Sequence, residues 1–165
     1  MTTIEVPVKP YIKEYLESNF GNPVNFSGVR GINDFFVLLL ERQTHRRDKQ
    51  TTLSNYKCSV TIVITRDVFY RYGWDLSATA IVSFNALFEY IIKMRSRDII
   101  RTKHRDAKIK IAPAIRQVQC ELQFPEESFS FDAIKKDLQR HTNIFKSSNA
   151  NKKVLGNVSL KKNVI

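Results

Sequence analysis

Residues 77–105, SATAIVSFNALFEYIIKMRSRDIIRTKHR, decide the fold. Ser77 suits a helix N-cap, because its hydroxyl can accept from an orphan N–H of the first turn. After it, Ile81, Phe84, Phe88, Ile91 and Ile92 recur at helical spacing and form one apolar face. The pattern predicts the longest helix of the chain over about residues 78–103. Its last turns change character: the apolar residues thin out and Arg and Lys take over.

C-terminal to this helix, Pro113 suits a helix start, Ile115, Val118 and Leu122 make a buried stripe, and Pro125 ends it. Ser130 then caps a last helix, FDAIKKDLQRH, with Phe131, Ile134 and Leu138 inward. On the N-terminal side, residues 56–65, YKCSVTIVIT, are β-branched and alternating, with Cys58, Val60, Ile62 and Ile64 on one face. Arg66-Asp67 is read as a turn into a second strand, VFYRY, ending at Gly73, which makes a β-hairpin. Two strands alone are marginal, so the hairpin is expected to lean on helices or on the N-terminal arm. That arm alternates Ile4, Val6 and Val8, and Pro7 restricts it to an extended or edge position. Pro10 opens a helix with the stripe Ile12, Leu16 and Phe20, stopped by Gly21. Asn33 is read as the cap of another helix, whose body FFVLLL is apolar all round and expected to be buried, ending in Arg42, His45, Arg46 and Arg47. The expected fold is α+β: one predominantly helical globular domain over residues 1–141 with a β-hairpin, followed by a flexible basic C-terminal tail over 142–165.

Composition points to association with an anion. The chain has 165 residues, 27 Lys and Arg against 16 Asp and Glu, and a formal charge of +11. Such an excess bears on partners rather than on fold. The tail carries Lys146, Lys152, Lys153, Lys161 and Lys162 and no acid. The first residues, MTTIEVPVKP, lack the basic lead and apolar run of a signal peptide, and no stretch reaches the about 20 apolar residues of a membrane span. Cys58 and Cys120 stand alone and are expected to be reduced core residues. These features fit a cytoplasmic protein that does not engage a membrane.

The densest feature is the basic stretch at the end of the long helix, opposed only by Asp98 and Asp106. Within it Lys93, Arg97, Arg101 and Arg105 are spaced by four and form one stripe. Like charges at that spacing repel by roughly a few tenths of a kcal/mol per pair, so an external anion is expected to offset them. A solvated Arg-rich face is the alternative. The last helix adds Lys135, Lys136, Gln139 and Arg140 on its outer side, residue types that reach phosphates and base edges. Its linker PEESFS is longer than that of a helix-turn-helix, which favours a packed α-hairpin. In RDVFYRYGW, residues 66–74, exposed rings beside Arg could stack single-stranded bases, although packing against the helices is the commoner use. His45, His104 and His141 are scattered, the glycines are dispersed, and no metal-ligand spacing occurs. No enzyme activity, cofactor or metal is expected.

Three stretches, VPVKPYIKEYLESNFGNPV, RYGWDLSATAIVSFNALFEYIIK and EESFSFDAIKKDLQRH, resemble small proteins encoded by phages and integrative elements of Bacteroidetes. The resemblance implies a mobile-element setting in a bacterial host cytoplasm and brings no assigned site residues. The expected function is nucleic-acid binding, DNA ahead of RNA, as an accessory protein whose basic helix contacts the phosphate backbone. The alternative is a phage virion or assembly protein working as a homo-oligomer or with other phage proteins.

Overall fold

Apolar alternation in the N-terminal arm finds its partner far along the chain. In the computed structural model, which describes residues 2–42, 55–124, 126–127 and 129–141, strand β1 (Thr2–Val8) pairs antiparallel with β2 (Cys58–Ile64). The register runs from Thr2 opposite Ile64 to Val8 opposite Cys58. It sets Ile4, Val6 and Val8 beside Ile62, Val60 and Cys58, so their apolar rows share a face. Val24 joins the other edge of β2, donating to Thr61 O at 2.8 Å and accepting from Val63 N at 2.8 Å. The Asn22–Pro23 peptide just before it is cis.

Helix α1 (Pro10–Phe20) follows β1 directly and buries Tyr11, Ile12, Tyr15 and Leu16. Gly21 stops it at a φ of +84°, its N–H held by Glu17 O. Helix α2 spans Arg30–Leu39. It starts earlier than expected: the Asn33 N–H already donates to Val29 O at 2.9 Å, so Asn33 lies in the first turn and is not the cap. Nor is α2 buried all round. Phe36 and the following Leu40 are inside, whereas Leu38 is 78% exposed.

The expected hairpin does not form. Residues Arg66–Tyr72 are a helix, α3, and the partner of the strand is β1. Thr65 caps α3, its Oγ1 accepting from the Val68 N–H at 3.2 Å. Asp67 sits in the first turn and pairs with Arg71 at 3.1 Å. A cap, an acid at the positive end of the helix and an i,i+4 ion pair outweigh the β propensity of Val, Phe and Tyr. On a helix Tyr70 and Tyr72 no longer share the face that a strand would give them. Two short strands, β3 (Leu40–Glu41) and β4 (Asp75–Leu76), pair antiparallel beside α3.

Helix α4 (Ala78–Arg105) is the spine. Ser77 caps it as expected, accepting from the Ala80 N–H at 3.3 Å. Its buried row runs through Ile81, Phe84, Phe88, Ile92 and Ile100. Phe26 and Phe36 pack on this row, with Phe26 stacked on Phe88 at 5.8 Å and Phe36 edge-on to Phe84 at 5.8 Å. Asn85 is buried but satisfied: it donates to Pro7 O and Ile81 O, each at 2.9 Å, and accepts from Lys9 N at 3.1 Å. That side chain ties the end of β1 to α4. Helices α5 (Ile111–Glu121) and α6 (Phe131–His141) pack on each other and on the C-terminal half of α4. The buried residues form one cluster from Ile4 to Leu138. The fold is α+β and predominantly helical. The basic tail over 142–165 and the cations His45, Arg46 and Arg47 lie outside the described residues. Cys58 is half-buried and Cys120 is exposed, so Cys120 is not the core residue expected; neither forms a disulfide.

Candidate nucleic-acid interface

Helix α6 is placed by a well-tied linker. Ser130 caps it, accepting from the Ala133 N–H at 3.3 Å. Glu126 braces both sides of the turn, one carboxylate oxygen accepting from the Phe131 N–H at 2.9 Å and the other from Gln119 Nε2 at 2.6 Å. Phe129 stacks on Tyr11 at 5.1 Å and meets Phe124 edge-on at 5.0 Å, which anchors the linker in the core. Ile134 and Leu138 are buried as expected, and Phe131 is half-buried. Lys135, Lys136, Gln139 and Arg140 are all exposed.

The stripe on α4 has a different fate. Lys93 Nζ pairs with Glu89 Oε1 at 2.5 Å, and Lys9 Nζ pairs with the other oxygen at 2.5 Å. Burial raises the pKa of Glu89, but the hydrogen bonds and attraction of Lys9 and Lys93 outweigh it and hold the carboxyl at about 2. Burial, followed by the charge of Glu89, pushes the neighbouring Tyr11 hydroxyl far up. Arg97 pairs with Asp137 of α6 at 3.2 Å, and both side chains are only 12% exposed. Arg101 donates to the His141 carbonyl at 3.2 Å, at the C-terminal end of α6, and lies 3.7 Å from Asp98. Arg105 is exposed and pairs with Asp106 at 2.7 Å.

Other cations of the stretch are also engaged. Arg95 reaches α1, donating to Asn19 Oδ1 at 2.9 Å and lying over the Tyr15 ring at 5.8 Å. Lys103 pairs with Glu121 of α5 at 2.6 Å. The repulsion inherent in the stripe is therefore offset largely by carboxylates and a carbonyl of the chain itself, so it does not by itself call for an external anion. Lys93 is spent on Glu89 of its own helix and Arg97 ties α4 to α6, so both are poorly placed to grip a phosphate.

The structure does bring the two predicted sets together. Between α4 and α6 runs a groove of about 410 Å3 lined by Lys9, Tyr11, Glu89, Lys93, Asp137, Lys136 and Arg140. Its floor carries the paired charges. Lys136 and Arg140, on its rim, have no ion-pair partner among the described residues. Arg42 and Arg95 also lack an ion pair but donate hydrogen bonds. The other cations with neither kind of partner among the described residues are Lys57, Arg66, Lys108, Lys110, Arg116 and Lys135. All but Lys57 and Arg66 fall between residues 108 and 140, in α5, α6 and the turn before α5. Arg116 and Lys9 escaped the sequence reading. Arg116 stands on the outer side of α5 between the buried Ile115 and Val118, a position that helical periodicity can assign. Nothing local to Lys9 signals that it meets Glu89.

Comparison with protein-family models, with curated proteins and with solved structures gave no match. No helix among the described residues is long and apolar enough to cross a membrane.

Proposed function

We propose that the chain binds the phosphate backbone of nucleic acid through the outer side of α6, supported by the α4–α5 turn and α5. One observation carries this reading: among the described residues, the cations with neither an ion-pair nor a hydrogen-bond partner gather mostly in this helical layer, while those of the basic stretch before it are largely spent internally. Phosphate contacts by Lys and Arg release counterions and supply most of the affinity of such proteins. Lys135, Lys136, Arg140, Lys108, Lys110 and Arg116 are the contacts, with Arg101 and Arg105 contributing at the edge. Gln139 stands between Lys135 and Lys136 on one side and Arg140 on the other and can reach a base edge. DNA is favoured over RNA, because an exposed helix with such residues fits the major groove of B-DNA, whereas that of an RNA helix is too narrow. An accessory role in a phage or other mobile element, in a bacterial cytoplasm, rests on the resemblance of three sequence stretches alone.

A gel-shift titration with a mixed-sequence DNA duplex and an RNA duplex of the same sequence tests the proposal. Shift of the DNA duplex at low salt, lost on approaching physiological salt, is expected. Absence of a shift with either duplex at low salt contradicts it.

A further inference from the structure

We propose that the surface formed by α3 and the β3–β4 pair joins two copies of this chain. Tyr70 is 70% exposed and Trp74 is 41% exposed. Large exposed rings beside Arg are the residue types that dominate protein interfaces. These rings are held in place. Trp74 stacks on Phe69 at 4.8 Å and 17°, and Tyr70 meets Phe69 edge-on at 5.3 Å. The Arg42 guanidinium donates to Tyr70 O at 2.5 Å, and the Trp74 N–H donates to Glu41 O at 3.2 Å. Gly73, at a φ of +114°, lets α3 close on β3 so tightly that a Cβ there would lie 2.2 Å from Glu41 O. A surface fixed before binding loses little freedom when it docks.

Charge identifies the partner. Among the described residues of this surface, Arg42, Arg66 and Arg71 are matched by Glu41, Asp67 and Asp75. A nucleic-acid backbone gains nothing from a balanced surface. Two copies of a chain with a formal charge of +11 repel each other over most of their surface and meet at least cost on such a face. Glu41 and Arg66 are both exposed and have no ion-pair partner among the described residues. In a two-fold arrangement every contact occurs twice, so Glu41 of each copy pairs with Arg66 of the other.

Sedimentation of the full chain, freed of nucleic acid, over a concentration series at two salt levels tests the proposal. The expected result is a reversible dimer that tightens as salt rises, because screening weakens the repulsion of the two copies. This sign is opposite to that of nucleic-acid binding, so failure of one reading is not failure of the other. Tyr70→Glu should weaken the dimer about 30-fold and leave the melting temperature unchanged. Glu41→Arg should weaken it too, and Glu41→Arg combined with Arg66→Glu should restore it. A monomer at every concentration overturns the proposal. So does a dimer indifferent to Tyr70→Glu and Glu41→Arg, or a monomer whose affinity for single-stranded DNA falls with Tyr70→Glu, which would make the rings a stacking surface.

Discussion

Arg97 shows how a residue can be located by sequence while its partner cannot. Its place in a four-residue stripe is visible from spacing, but its partner Asp137 lies on another helix 40 positions away. No local pattern pairs them. At 12% exposure on each side, removing one charge strands the other in a poorly solvated site. Arg97→Ala is expected to cost about 3 kcal/mol of stability, measured by urea unfolding, and to leave the salt dependence of nucleic-acid binding unchanged. Glu89 makes a second residue-scale prediction. Its carboxyl is held at about 2, below its ordinary 4.5, chiefly against burial by hydrogen bonds from Lys9 and Lys93. A depressed carboxyl adds stability that is complete above pH 4.5 and is lost as pH falls from there towards 2. Solvent reaches both lysines, so the contribution is on the order of 2 kcal/mol. Unfolding measured across this acid range should show that loss in the wild type, and Glu89→Gln should remove that part of the pH dependence.

At the scale of elements, the helices α1, α4, α5 and α6 were legible because each combines an apolar stripe at helical spacing with a start signal. Pro10, Ser77 and Ser130 stand at the boundary, and Pro113 lies inside the first turn of α5, which begins two residues earlier than expected at Ile111. The errors lie where two signals compete. VFYRY has strand-forming residues, yet Thr65 and Asp67 write a helix start just ahead of it. Strand pairing was half legible: the alternation of Ile4, Val6 and Val8 marked a strand, but nothing local names residues 58–64 as its partner. The α3–β3 junction depends on one position. Gly73→Ala puts a Cβ 2.2 Å from a backbone oxygen at a φ that side chains rarely adopt. The expected cost exceeds about 2 kcal/mol, read as a lower melting temperature, with Trp74 fluorescence reporting the loosened junction.

For the whole molecule, the formal charge of +11 is a poor guide until internal pairing is subtracted. Lys9, Arg97 and Lys103 stitch helices and the N-terminal arm together through Glu89, Asp137 and Glu121, and Lys93 shares Glu89 within α4. What remains for a partner lies on α6, on α5 and on the turn between α4 and α5. Of the residues predicted from sequence, Lys135, Lys136, Gln139 and Arg140 stand where a nucleic acid can reach them. Outward position on an amphipathic helix is local information, which is why the exposure of these four residues was legible and the internal pairing of the α4 stripe was not. The most direct test is the slope of binding affinity against salt for a DNA duplex, measured by fluorescence anisotropy. Lys135→Ala combined with Lys136→Ala and Arg140→Ala should make the slope shallower by about 2 to 3 relative to the wild type. A wild type whose affinity ignores salt, or a triple variant with the wild-type slope, would contradict the account.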